Sequence, residues 1–137
     1  MTIEEKASLC SGADNWRTPA IEKLGIPSVM MSDGPHGLRK ECKTDGSIVD
    51  ESGTIKAVCF PAACATANSF DPKLLRKMGE CLGEECQAED VQILLGPGIN
   101  IKRNPLCGRN FEYFSEDPCV AGELGTAFVE GVQSKGV

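Results

Sequence analysis

The sequence predicts an α/β protein whose strands form a parallel sheet. Two short apolar runs, at 28–32 and 91–95, are bounded by proline and glycine, as in buried strands. Each run is followed by a polar loop and then by a helical pattern, at 71–90 and 117–136. This alternation is typical of parallel sheets, in which ligand sites gather at the carboxyl ends of the strands.

Two helix signals precede the first strand. Residues 2–5 match a capping box that opens a helix through about Leu9, and Gly12 ends that helix. Thr18-Pro19 offers a cap followed by a proline at the first helical position, which predicts a second short helix that stops at Gly25.

The first strand places Asp33 at its carboxyl end. Residues 34–57 are rich in Gly, Asp, Lys and Ser and lack periodicity, which predicts a long loop. The apolar patch Ala57–Phe60 fits either another strand or loop packing. The polar stretch 96–116 after the second strand predicts a second long loop.

Both long helices begin at an Asp-Pro pair, Asp71-Pro72 and Asp117-Pro118, in which aspartate caps the helix and proline takes its first position. We expect the first to end near Asp90, and Gly136 is placed to cap the second. The residues of their inner faces recur at helical spacing: Leu75, Met78, Leu82, Leu124, Ala127, Phe128, Gly131 and Val132.

Charge and hydropathy argue against several partners. The chain carries 14 basic and 20 acidic residues, for a net charge of −6, so its field repels phosphate backbones and anionic membrane surfaces. The one basic pair, Lys102-Arg103, is too short to reverse this. We see neither a secretion signal nor an apolar run of membrane-spanning length. We therefore expect a cytoplasmic protein that binds neither nucleic acid nor membranes.

The cysteines do not form a recognisable metal or redox pattern. There are eight of them, scattered along the chain without a Cys-x-x-Cys pair, and the chain has one histidine. Zinc sites and redox pairs use closer spacings. We expect reduced, partly buried thiols and no metal site.

Both loops concentrate polar side chains at the carboxyl ends of the predicted strands. The first begins Ser-Asp-Gly-Pro-His-Gly-Leu-Arg at 32–39, and the second, over 96–118, combines amides, cations, carboxylates and aromatic rings. Guanidinium groups donate and carboxylates accept several hydrogen bonds, and rings cover the apolar faces of sugars. This chemistry suits a neutral, polyhydroxylated ligand, and the residues by themselves predict a polar pocket.

The loop motifs resemble the amino-terminal domain of family 3 β-glucosidases. The resemblance rests on 32–39, on Leu-Gly-Pro-Gly-Ile-Asn-Ile-Lys-Arg at 95–103 and on Pro-Leu-Cys-Gly-Arg-Asn-Phe-Glu-Tyr-Phe-Ser-Glu-Asp-Pro at 105–118. It implies a (β/α)8-type barrel, followed in whole enzymes by an α/β sandwich domain. Because such a barrel needs about 250 residues, residues 1–137 are predicted to be one incomplete barrel domain, roughly its first half.

The resemblance also implies roles for five side chains. Asp33 would accept hydrogen bonds from hydroxyls of a terminal glucose, and Arg39 and Arg109 would line the same subsite. His36 and Glu112 would orient these arginines or shape the loop.

Simpler structural interpretations stay open for three residues. Asp33 could cap its own loop, and Arg39 could pair with Glu41. Trp16 could approach the pocket, although a single tryptophan more often belongs to the core.

The implied reaction is hydrolysis of a terminal β-glucosyl residue of a β-glucoside or oligosaccharide, with retention and without a cofactor. Retention uses two carboxyl groups about 5 Å apart. The family's Asp-Trp strand end and Lys-His pair do not occur in this sequence, so we assign no catalytic residue and expect both carboxyl groups beyond Val137. The chain alone is then predicted to be inactive.

Two other classes of function remain to be tested. One is a non-catalytic carbohydrate-binding or degenerate protein, and the other, disfavoured by cysteine spacing, is a metal or redox protein. The incomplete-barrel hypothesis further predicts exposed sheet edges and apolar faces.

Overall fold

Two parallel strands and their following helices form the centre of the molecule. The computed structural model describes residues 1–41 and 53–137. The elements are α1 (Ile3–Ser11), β1 (Met31–Asp33), α2 (Ala63–Thr66), α3 (Pro72–Ala88), β2 (Ile93–Leu95) and α4 (Pro118–Gln133). Strands β1 and β2 pair in parallel, with Asp33 opposite Leu95 at their carboxyl ends. The predicted parallel α/β arrangement is confirmed.

Helix α1 begins and ends where its signals predict. The Thr2 hydroxyl accepts the Glu5 N–H at 3.3 Å, and the Glu5 carboxylate accepts the Thr2 N–H at 2.7 Å. This reciprocal pair satisfies two N–H groups that the first turn leaves without helical partners. Gly12 is the carboxyl cap.

The helix predicted from Thr18-Pro19 to Gly25 is wrong in extent. A single 3-10 turn, Glu22–Leu24, forms there, and Gly25 ends it with a left-handed φ of 64°. The Thr18 hydroxyl instead accepts the Val29 N–H at 2.9 Å. Because this partner lies eleven residues away, the local cap pattern could not reveal it.

Strand β1 begins later than predicted for the same reason. The Ser28 hydroxyl donates to the Thr18 carbonyl at 2.6 Å, and Met30 forms an antiparallel bridge with Arg17. The first part of the apolar run therefore pairs with the preceding segment, and the parallel sheet starts only at Met31.

Both predicted Asp-Pro helix starts are confirmed. The Asp71 carboxylate accepts the Lys73 N–H at 2.9 Å. The Asp117 carboxylate accepts the N–H groups of Cys119 and Val120 at 2.8 and 2.9 Å. These bonds satisfy amides that would otherwise lack a helical partner.

Helices α3 and α4 pack closely because small residues face each other between them. A Cβ atom built on Gly131 would lie 2.2 Å from the Arg76 carbonyl oxygen, and one on Gly79 would lie 2.3 Å from the Phe128 carbonyl oxygen. Only glycine allows the two backbones to come this near. Around this contact the pair buries the predicted apolar residues Leu75, Met78, Leu82, Leu124, Ala127, Phe128 and Val132.

The segment before α3 was only partly anticipated. No pattern predicts α2, because four residues are too few to display helical periodicity. Ala57–Phe60 forms no strand; the Phe60 N–H donates to the His36 carbonyl at 2.8 Å, which is the loop-packing alternative. The predicted loop 34–57 falls partly on residues 42–52, outside the described residues.

Apolar side chains are exposed on one side of β2. Leu94 is buried against the core, but its neighbours Ile93 and Leu95 are 41% and 45% exposed. Exposed apolar positions beside the sheet were predicted for an incomplete barrel. None of the helices in 1–41 and 53–137 is long and apolar enough to cross a membrane.

Candidate functional site

A polar cleft of about 520 Å³ lies where the carboxyl ends of β1 and β2 meet. All five side chains predicted from the sequence line it: Asp33, His36, Arg39, Arg109 and Glu112. They come from two loops about seventy residues apart in sequence, which the parallel pairing of β1 and β2 brings to one edge. The structure therefore unites the predicted residues in one cavity.

The first loop folds back on itself and places Asp33 beside Arg39. The Arg39 N–H donates to the Asp33 carbonyl oxygen at 2.9 Å. Gly34, with a φ of 139°, allows this closure, since a Cβ atom there would lie 2.3 Å from the Gly37 carbonyl oxygen. Both side chains, a carboxylate and a guanidinium, are exposed toward the cleft.

His36 lies at the tip of this loop and is partly buried. Its Nε2 atom accepts the Ala63 N–H at 3.0 Å, so the ring proton is assigned to Nδ1. Burial lowers the pKa of His36 below its usual value, and the nearby Glu112 carboxylate opposes this shift. The imidazole is accordingly neutral near pH 7.

The second loop contributes a pre-oriented guanidinium. Arg109 forms an ion pair with Glu112 through Nε, and its guanidinium lies 6.0 Å from the centroid of the Tyr113 ring. The hydrogen bond with Glu112 raises the pKa of Arg109. This pairing leaves other N–H groups of the guanidinium free to face a ligand, since arginine carries five donors.

The loop is braced by its own amides. The Asn110 side chain donates to the Asn104 carbonyl at 2.8 Å, and the Asn104 side chain accepts the Leu106 N–H at 2.9 Å. A parallel bridge between Gly98 and Tyr113 closes its base. The amide-rich composition thus builds the loop as well as lining the cleft.

Sequence reasoning did not single out two lining residues, Asn100 and Tyr113. Both belong to the second loop, and the only signal was its general enrichment in amides and aromatic rings. Trp16, for which two interpretations stayed open, packs against the core. The cleft therefore offers carboxylate acceptors, guanidinium donors and an aromatic ring to a ligand.

The cysteines lie apart from this chemistry. The seven within the described residues are unpaired, and Cys86 is buried, which raises the pKa of its thiol to about 11. Four of the others are exposed, so the prediction of partly buried thiols is only partly right. Across 1–41 and 53–137, no three metal-ligating side chains gather into a group.

Comparison with known proteins gives consistent matches. The family model "Glycosyl hydrolase family 3 N terminal domain" matches residues 11–137. Over its full length the chain is 61% identical to a thermostable β-glucosidase B from Acetivibrio thermocellus, of which it covers 18%. It is 53% identical to an exo-α-(1→6)-L-arabinopyranosidase from Bifidobacterium longum, again covering 18%.

A solved structure gives the same result for the fold. The chain superposes over its full length on β-glucosidase 3B from Thermotoga neapolitana in complex with α-D-glucose, with a TM-score of 0.87 and 38% identity, and covers 21% of that protein. The predicted partial (β/α)8-type barrel is thereby confirmed. The chain spans about a fifth of the length of these relatives, and its description as one incomplete domain stays a prediction.

Proposed function

This chain belongs to glycosyl hydrolase family 3, and we propose that it supplies part of the sugar-binding subsite of a retaining β-glucosidase. The observation that carries the proposal is the convergence of Asp33, Arg39 and Arg109 on one cleft at the strand ends. A volume of about 520 Å³ fits the range of about 300–1,000 Å³ usual for small-ligand sites.

The chemistry of the cleft suits a pyranose. The Asp33 carboxylate can accept hydrogen bonds from two neighbouring hydroxyls, whereas the Arg39 and Arg109 guanidinium groups donate to hydroxyl or ring oxygens. Glu112 orients Arg109, and the Tyr113 ring offers an apolar face. A neutral sugar is favoured over an anion because carboxylates share the cleft with the cations.

The catalytic carboxyl groups are proposed to lie outside these 137 residues. Retaining hydrolysis needs a nucleophile and an acid/base about 5 Å apart, and neither is assigned here. Glu112 is engaged by Arg109, and we give Asp33 a binding role. The chain by itself should not cleave a glycoside, and the reaction needs no cofactor because proton transfer and carboxylate attack suffice.

A graft tests this proposal. The chain would replace the matching amino-terminal segment of the A. thermocellus enzyme, to which it is 61% identical. We expect the graft to release p-nitrophenol from p-nitrophenyl β-D-glucopyranoside, whereas the isolated chain releases none. An ungrafted enzyme and one lacking the segment are the controls.

One result would contradict the proposal. A folded but inactive graft would show that the cleft does not function as a glucosidase subsite. Glucose binding by the isolated chain, together with such an inactive graft, would favour the non-catalytic carbohydrate-binding alternative. If the graft is active, a panel of aryl glycosides, including the α-L-arabinopyranoside, would define which sugar the cleft accepts.

A further inference from the structure

We propose that His36 is a positioning residue, whose neutral imidazole fastens the loop bearing Asp33 and Arg39 to the start of helix α2. The expected effect on hydrolysis rests on the proposed function. The contact between His36 and the start of α2 can be tested separately. This positioning role differs from a role in which the imidazole binds sugar directly.

Two hydrogen bonds from one short segment converge on His36. Its main-chain carbonyl accepts the Phe60 N–H at 2.8 Å, and its Nε2 atom accepts the Ala63 N–H at 3.0 Å. Ala63 is the first residue of α2, and the preceding cap residue Ala62 makes no side-chain hydrogen bond. The imidazole therefore serves as the cap that the local sequence lacks.

The loop and the segment before α2 also touch through their backbones. A Cβ atom on Gly37 would lie 2.2 Å from the Val58 carbonyl oxygen, so the loop can approach only because residue 37 is glycine. Next to it, Leu38 is 3% exposed and anchors the loop in the core. Such close contact transmits a displacement of the 58–63 segment to the loop.

We call the hydrogen bonds of His36 with Phe60 and Ala63 the clamp. The base of the loop connects this clamp to the sugar-facing groups. The Arg39 N–H donates to the Asp33 carbonyl at 2.9 Å, which fixes the two residues relative to each other. If the Ala63 contact is lost, the loop can shift while this bond persists. Asp33 and Arg39 would then move together, and the subsite would lose affinity without losing a residue.

The clamp requires a lone pair on Nε2. Protonation would place two N–H donors against each other and break the bond. The Glu112 carboxylate of the second loop acts on the imidazole. The other charged side chains that line the same cleft are Asp33, Arg39 and Arg109. The contact is thus expected to be intact when the ring is neutral and to open when it is charged.

Nuclear magnetic resonance tests the contact directly, because His36 is the sole histidine of the chain. We expect ring-nitrogen shifts of the Nδ1–H tautomer, and an Ala63 amide signal that titrates with the ring. An Nε2–H tautomer, or an Ala63 amide that does not follow the ring, would overturn the proposal.

Kinetics of the grafted enzyme test the consequence. His36→Phe keeps a ring but no acceptor, and loss of this partly buried hydrogen bond should lower kcat/KM about tenfold. His36→Gln restores an acceptor and should recover kcat/KM to within about threefold of the parent. Because glutamine does not titrate, this variant should also lack the fall in kcat/KM at low pH that protonation of the imidazole causes.

Equal impairment of the Gln and Phe variants would overturn the positioning role in favour of direct sugar contact, and an unimpaired Phe variant would overturn any role in the subsite. If the parent graft were inactive, the proposed function would fail, and the tautomer and the Ala63 titration would still decide the clamp.

Discussion

Substitution of Gly131 by alanine should weaken the helix pair that supports the cleft. The added methyl group would lie 2.2 Å from the Arg76 carbonyl oxygen, 2.9 Å from the Glu80 nitrogen and 3.0 Å from the Gly79 Cα. All three atoms are backbone, so no side-chain rotation relieves the overlap. Helices α3 and α4 would have to separate by about 1 Å, which loosens the packing around Phe128.

The expected cost follows from two opposing effects. Overpacking of this kind costs about 1–3 kcal/mol, or more when backbone must move, and alanine recovers up to about 1 kcal/mol through its helix propensity. We predict a net loss of about 2 kcal/mol in the free energy of unfolding.

Urea unfolding followed by circular dichroism measures this loss. Gly122→Ala is the matched control, because Gly122 lies on the same helix and a Cβ atom added there would meet nothing within 4 Å. The control should gain about 0.5–1 kcal/mol from helix propensity alone. Equal midpoints for the two variants would refute the reasoning from close backbone contact.

Three further predictions concern caps, protons and thiols. Asp117→Ala removes the acceptor of two amide hydrogen bonds and should cost α4 about 1 kcal/mol in urea unfolding, whereas exposed Glu116→Ala should cost little. Because burial depresses the pKa of His36, the free energy of unfolding should fall as pH drops below 6.5, and His36→Gln should flatten this slope. Cys86, with its pKa near 11, should be alkylated by iodoacetamide after the exposed thiols, as mass spectrometry would show; early alkylation would contradict its burial.

The sequence correctly predicted those helix starts that depend on hydrogen bonds between residues close together in the chain. The capping box at 2–5 and the Asp-Pro starts of α3 and α4 depend on residues within three positions of each other, and all of them form. Thr18 carries the same kind of signal, but its hydroxyl bonds Val29 instead. A competing partner far along the chain is invisible to a local pattern.

In the site, too, some features follow from the sequence pattern and others depend on contacts that the pattern does not show. All five residues that were predicted from the loop motifs line one cleft, because parallel strands bring their carboxyl ends together. The bond between His36 and Ala63 joins residues 27 positions apart and could not be foreseen. Arg109 and Glu112 are only three positions apart, but the motif does not show that these two side chains pair with each other.

The most direct test of the central claim is the effect of Asp33→Asn on glucoside hydrolysis by the grafted enzyme. Asparagine keeps the shape but removes the charge that strengthens hydrogen bonds to sugar hydroxyls, so we predict a fall in kcat/KM of about a hundredfold. Asp71→Asn, at the helix cap outside the cleft, is the control and should change kcat/KM little. An unchanged kcat/KM for Asp33→Asn in a folded graft would contradict the assignment of this cleft as the sugar subsite.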